Sequence, residues 1–256
     1  TSAEDCPAVY NTPEYEFNEH IYDNIVYNGF GKAKPETEIV YGPSIKDWPK
    51  MPALTENLLL QVASVIRDEV TTTDELIPSG ETASYRSNPY KISEFTLIRK
   101  DPQYVGRAKS AQEFEKARAA GDKEKAGEFY QVLKAAGVGT SVDELMKTTG
   151  IGSVLYAKRP GDGSAREYAA SCQKVLGGLA NICKEYATKR YRSNVINWGM
   201  LPFQMEEEPD FEVGDYIYVP GIKAALEGDL KEIPAYVLGK DGTAPIKEIR
   251  LYMADM

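Results

Sequence analysis

The chain has 256 residues, 42% of them hydrophobic and 27% charged, with a formal net charge of −9. It is long enough for one large core or two modest ones, and its acidic balance excludes nucleic acid or an anionic membrane as the main partner, because both need a basic footprint. No apolar run approaches the roughly 18 residues that span a bilayer, so the sequence reads as soluble and cytoplasmic, and any anion site must be built locally.

Residues 1–54, with "NTPEYEFNEH", "GKAKPE" and "DWPKMP", are dense in Pro, Tyr and acidic groups and show no sustained period. That composition predicts a linker or arm lying along another surface, with the folded domain over residues 55–256. The opening "TSAEDC" lacks an initiator Met, which suggests a piece excised from a longer chain. His20 falls in the arm, and one histidine builds neither a metal site nor a Ser-His-Asp triad. Cys6, Cys172 and Cys183 are widely spaced without a CxxC pair, so they read as reduced thiols and not as metal ligands.

The pattern becomes strand-like at "NLLLQVASVIRD" (57–68), and "TTTDELIPSG" (71–80) follows as a threonine-capped turn with Asp74 in its first turn. "SAQEFEKARAAGDKEKAGEFYQVLKAAGVG" (110–139) predicts two short amphipathic helices, capped by Ser110 and broken at "AAGD". "GSVLYAK" (152–158) reads as a buried strand, and "RPGDGSAREYAA" (159–170) as the turn from that strand into a helix. "GGLANICKE" predicts a strand, "YATKRYRSNVINWG" (186–199) a helix with a basic face, and "MLPFQM" a strand. Towards the end "DYIYVPG" is followed by "IPAYVLGKDGTAPIKEIRLYM" (233–253), where "KDGT" between alternating runs signals a hairpin. The sum is a strand-heavy α/β domain with an antiparallel end.

The segment that carries chemistry is "GDGSAR" (161–166). A glycine-rich strand-to-helix turn points backbone N–H groups and the positive end of a helix dipole at one spot, which suits an anion. Such turns are common, and Ser164 could simply cap the helix. The segment lacks the third glycine of GxGxxG, the GK[ST] of a Walker loop and the final glycine of GxSxG, which disfavours a dinucleotide, an NTP and serine hydrolysis.

Two segments together carry a family resemblance. "GDGSAREYAASCQKVLGGLANICKEYATKRYRSNVINWGMLPFQM" (161–205) resembles the hallmark region of the swivelling C-terminal domain of the aconitase superfamily. "VTTTDELIPSGETASYRSNPYKISEF" (70–95) is similar to the same domain's Thr-Thr-Asp-His-Ile segment, with Arg86 twelve residues after Asp74 at the place of a substrate-binding arginine. The resemblance covers roughly residues 43–253 and implies a three-layer β/β/α swivel domain. It also implies a hydro-lyase that removes and re-adds water on a hydroxy di- or tricarboxylate, with a 4Fe-4S cluster in the other domains and none bound by this chain. By position, Ser164 matches the serine that takes the proton from the substrate carbon, Arg86 and Arg166 match arginines that grip carboxylates, and Asp74 matches an active-site acid. The partners so implied are the substrate and the cluster-bearing domains, and the isolated domain is expected to be inert.

Three positions depart from the pattern. Ala165 replaces the family's second serine beside the substrate, Tyr168 replaces the histidine after Arg-Glu, and Glu75 replaces the histidine after Thr-Thr-Asp. A buried site that loses a donor favours a different ligand, since an unpaired polar group costs roughly 1–3 kcal/mol, so these changes count against citrate and isocitrate. Two further readings stay open: a non-catalytic module that binds a carboxylate or a partner, and the separate small subunit of an isopropylmalate-isomerase-like enzyme.

Overall fold

The computed structural model describes residues 11–23, 29–139, 141–240, 242 and 246–254. The chain divides into two units, Thr1–Val40 and Tyr41–Met256. In the first, a 3-10 turn at Glu19–Tyr22 is capped by the Asn18 side chain, and His20 is exposed with its Nδ1 2.9 Å from Asp23 Oδ2. Cys6 lies outside the described residues.

The second unit begins with an irregular strap that leads into β1 (Asn57–Ile66). A short β2 (Thr71–Thr72) and one-turn α1 (Thr73–Leu76) follow, then α2 (Pro89–Ser93). Four helices come next: α3 (Tyr104–Ala120), α4 (Lys123–Phe129), α5 (Gln131–Ala135) and α6 (Val142–Thr148). After β3 (Thr149–Ala157) and the short β4 (Pro160–Asp162), α7 (Arg166–Val175) leads to β5 (Gly178–Cys183), α8 (Lys189–Asn197) and β6 (Leu201–Gln204). The end is β7 (Tyr216–Val219), α9 (Ile222–Glu227) and the hairpin β8 (Glu232–Leu238) with β9 (Lys247–Met253).

Seven strands close into a barrel in the order β1, β3, β5, β6, β9, β8, β7. The first four run parallel, and the other contacts, including the closing pair β1–β7, are antiparallel. Side chains alternate across a strand, so Leu58, Leu60 and Val62 of β1 join Tyr156, Ile182, Phe203 and Leu251 inside the barrel. Their neighbours face outwards onto helices: Leu59 and Ile151 pack with Phe129, Tyr130 and Leu133. Ala63 and Leu155 pack with Ala169 and Cys172 of α7 and with Tyr191 and Val195 of α8. Covered on both faces, β3 is buried along its whole length, which is why its sequence, TGIGSVLYA, shows no alternation and carries no charge.

The expected mixed α/β architecture is present, and one helix boundary differs. Ser110 is not a cap: α3 starts earlier, at the fully buried Tyr104, so Ser110 lies in the helix interior. Burial of the Tyr104 ring extends the helix past the point where propensity alone would start it. The expected break is at Gly121, whose left-handed backbone (φ 80°) lets its N–H cap the end of α3. The second predicted helix is divided at Tyr130 into α4 and α5. In the "KDGT" turn, Gly242 N–H donates to Gly239 O, while Asp241 and Thr243 lie outside the described residues. Among the described residues no helix is long and apolar enough to cross a membrane.

Candidate functional site

The parallel strands β1 and β3 pair, across one register shift between Val62 and Ser64, as far as Ile66 and Ala157, and just beyond these ends β2 and β4 form a second parallel pair, Thr71 opposite Pro160 and Thr72 opposite Asp162. Ligands of parallel sheets commonly sit beyond the carboxyl ends of the strands. This small pair joins the two segments that stand out in the sequence, although about ninety residues separate them. A hydrogen bond from Ala165 N–H to Thr73 Oγ1 (3.3 Å) then ties the start of α7 to α1.

Local chemistry explains each end of the join. Thr72 and Glu75 form a capping box: the Thr72 side chain accepts from Glu75 N–H, and Glu75 Oε2 accepts from Thr72 N–H at 2.7 Å. Burial alone would push the Glu75 carboxyl up, but the Thr72 backbone N–H and Lys100 outweigh it and hold it below the usual carboxylate range. Glu75 is therefore a structural piece of the helix start. Gly161 has φ 97°, and a Cβ there would overlap the Tyr191 ring; Gly163 has φ 121°, and a Cβ there would overlap the Thr73 hydroxyl. Both glycines are required by close packing and a left-handed backbone. Behind them Tyr191, Gln173 and Asn181 form a buried ring of hydrogen bonds at 2.9 to 3.1 Å, and the α8 cap Thr188 donates to Gly161 O at 3.0 Å.

The join leaves a cavity of about 230 Å³ lined by Ser79, Arg86, Ser164, Ala165, Glu167 and Tyr168. Four residues singled out from sequence, Arg86, Ser164, Ala165 and Tyr168, thus share one cavity, whereas Arg166 is not among the lining residues. Ser164 is exposed and does not cap α7, since the N-cap position is Ala165 and makes no side-chain cap. Arg166 is the first residue of α7, half-buried, and its Nε is buried without a hydrogen-bond partner. Asp74 is not among the lining residues; its Oδ2 is held 2.7 Å from Arg99 Nη1, and Arg99 also grips Glu81. Sequence reasoning missed Tyr168 as a partner of Arg86: the guanidinium carbon lies 5.8 Å from the Tyr168 ring centroid, within cation–π range. Burial, and then the neighbouring Glu167, raise the Tyr168 hydroxyl above its usual pKa, so it is a neutral donor.

Arginine holds a carboxylate with two parallel hydrogen bonds, and Arg86 faces the cavity ready to do so. Ser164 lies beside the N-terminus of a ten-residue helix, whose dipole is worth about 0.3–2 kcal/mol to an anion. Each unit of pKa costs about 1.4 kcal/mol, so that dipole alone does not make an alkoxide at neutral pH. As for the cluster that the resemblance implies, the described residues do not fit it: no group of three or more His, Cys, Asp or Glu side chains is placed to hold a metal. Cys172 and Cys183 are buried on α7 and β5, with their thiols pushed well up by desolvation.

Comparison with known proteins agrees with the second of the two segments. Residues 98–208 match the aconitase C-terminal domain family. The chain is 41% identical over 76 residues to the homoaconitase small subunit of Thermus thermophilus, covering 29% of this chain and 46% of that one. It is 31% identical over 176 residues to the mitochondrial aconitate hydratase of Aspergillus fumigatus, covering 68% of this chain and 20% of the relative.

The chain belongs to the aconitase superfamily.

It therefore spans less than half the length of these aconitase relatives. A crystal structure of 3-isopropylmalate dehydratase from Methanocaldococcus jannaschii also matches, at 16% identity and a TM-score of 0.45, covering 78% of this chain and 84% of that one.

Proposed function

We propose that residues 55–256 are the swivel domain of an aconitase-type hydro-lyase acting on a hydroxy di- or tricarboxylate, with residues 1–54 as its connecting arm. The barrel with helices packed on its outside is our counterpart of the three-layer swivel fold. The observation that carries the proposal is the cavity shared by Arg86 and Ser164, assembled by the β2–β4 pair from two segments distant in sequence. Arg86 would hold one substrate carboxylate from the cavity wall, and Arg166, which does not line the cavity, would hold a second from the start of α7, where its buried Nε has no hydrogen-bond partner. Ser164 would take the proton from the substrate carbon; the electron pair left behind forms the alkene as hydroxide departs. Both the activation of Ser164 and the departure of hydroxide fall to groups outside this chain, the cluster-bearing domains among them. Asp74 would act through its contact with Arg99 and not on the substrate directly. The hydrocarbon face of Ala165 and the aromatic ring of Tyr168 favour a substrate other than citrate or isocitrate.

The test is an anaerobic assay of the longest native chain containing this domain, reconstituted with iron and sulfide and offered a panel of hydroxy acids while ultraviolet absorbance follows the alkene. Turnover lost in Ser164→Ala, with the cluster spectrum unchanged, supports the assignment; full turnover in that variant overturns it.

The similarity to a homoaconitase small subunit supports a second arrangement, in which the chain works as a separate subunit. Stoichiometric co-purification with a distinct cluster-bearing polypeptide would establish that arrangement.

A further inference from the structure

Away from the Ser164 cavity, a second cavity of about 540 Å³ lies between the strap, α8, α9 and the end of β9. Its walls are mostly apolar, with Met51, Trp198, Leu201, Leu226 and Met253 among them, and the exposed pair Asp229 and Lys231 stands at its rim. The exception at its inner wall is Lys174, in the last turn of α7, which is only 5% exposed. An ammonium group has three N–H donors. In the structure Lys174 Nζ donates to one neutral acceptor, Gly199 O at 2.9 Å. Burial pushes its pKa down to about 8, with no carboxylate acting against that. The charges that share walls with Lys174 are committed elsewhere. Asp229 pairs with Lys231 at 3.4 Å; on the neighbouring cavities that Lys174 also lines, Glu113 pairs with Lys116 at 2.6 Å, and Glu115 accepts from Arg118 Nε, Arg118 Nη2 and Ile151 N–H.

A buried cation with spare donors and no counter-ion, on the wall of an apolar cavity within the size range of small-molecule sites, defines a ligand by complementarity. We propose that this cavity binds an amphipathic monocarboxylate, its carboxylate on Lys174 Nζ and its alkyl chain along the wall formed by Trp198, Leu201 and Met253. The carboxylate supplies acceptors for the unused N–H donors and neutralises the buried charge, while the chain excludes water from the apolar wall. A neutral alcohol of the same length gains the second contribution and not the first. The site is separate in sequence and in lining from Arg86 and Ser164, so it stands or falls independently of the hydro-lyase reading.

The experiment titrates the 256-residue chain with decanoate, and in parallel with decanol, following heat by calorimetry and the fluorescence of Trp198. Saturable one-to-one binding of decanoate, at least tenfold tighter than decanol, is expected. Lys174→Met should weaken decanoate at least tenfold and leave decanol unchanged, whereas Lys174→Arg should keep most of the affinity. Leu230→Trp, a change at an exposed rim position, should weaken both probes and serves if Lys174→Met does not fold. Absence of saturable decanoate binding overturns the proposal. So does equal affinity for the two probes, or decanoate binding indifferent to both Lys174→Met and Leu230→Trp.

Discussion

The guanidinium of Arg86 lies over the ring of Tyr168, 5.8 Å from carbon to centroid, and both groups line the cavity that holds Ser164. The ring restrains a long side chain that would otherwise sample many rotamers, so the cation faces the cavity before any anion arrives. A cation–π contact of this kind is worth about 0.5–1 kcal/mol at an exposed site. Tyr168→Phe should therefore leave KM in the full-length enzyme nearly unchanged, and Tyr168→Ala should raise it by about two- to fivefold. Arg86→Ala removes charged hydrogen bonds worth about 1.5–3 kcal/mol each and should raise KM by tenfold or more. Steady-state kinetics on the three variants check the order.

Gly161 and Gly163 offer a sharper test of the turn. Gly161→Ala combines a left-handed backbone with a methyl driven into the Tyr191 ring, and overpacking alone costs about 1–3 kcal/mol. Urea unfolding should show a loss in the upper part of that range or beyond. Gly163→Ala should cost less, because the opposing group is a single hydroxyl, on Thr73, and not a packed ring. Equal stability of Gly161→Ala and the natural chain would contradict the packing described.

The capping box gives a pH-dependent prediction. The Glu75 carboxyl is held below its usual range, so its charged form stabilises the fold above the ordinary pKa of about 4.3. That stabilisation is lost as pH falls through the lower folded value. Glu75→Gln should cost about 1 kcal/mol at pH 7, and the gap between the two proteins should close as pH falls below about 4. Thermal melts of both proteins from pH 3 to 7 would measure it.

Lys174 runs in the opposite sense. Its folded pKa is depressed from 10.5 to about 8 by burial, so between those values the unfolded chain binds more protons and stability rises with pH. Below pH 8 the penalty is present in full; at about 1.4 kcal/mol per pH unit its ceiling is about 3 kcal/mol. Lys174→Met should be more stable than the natural chain at pH 7, and that difference between the two proteins should shrink between pH 8 and 10. From about pH 8.5 the buried thiols Cys172 and Cys183, and above about pH 10 the buried tyrosines, Tyr104 and Tyr191 among them, lower the stability of both proteins, because burial raises their pKa and ionisation in the unfolded chain then favours unfolding.

Much of this architecture is legible in the sequence because it rests on periods that a chain cannot hide. The run at 152–158 announces a buried strand, and the glycines at 161 and 163 announce the turn from it into a helix. The parallel pair β2–β4 leaves no such trace: it is two or three residues on each side, and its partners are set by where β1 and β3 end. The stack of Tyr168 on Arg86 is equally non-local, so Tyr168 reads in sequence only as a departure from the family pattern. Lys174 is not announced at all, since lysine is mostly exposed in proteins, whereas here the residue is buried and donates to the Gly199 carbonyl. Ser110 misleads because capping preference is local, while the start of α3 follows the burial of the Tyr104 ring.

The closed barrel has one further consequence. Once β7 pairs with β1 and β9 with β6, no barrel strand has one side wholly unpaired, and the open edge left to another polypeptide is short, chiefly the part of β9 ahead of its two-residue seam with β6. Association is thereby steered towards side chains and loops, as a removable joint and not a shared sheet. A domain of this kind can travel as an insert, a fusion or a separate polypeptide without exposing sticky strands in transit. Among the relatives it matches, it is found both in a small subunit and in a much longer hydratase.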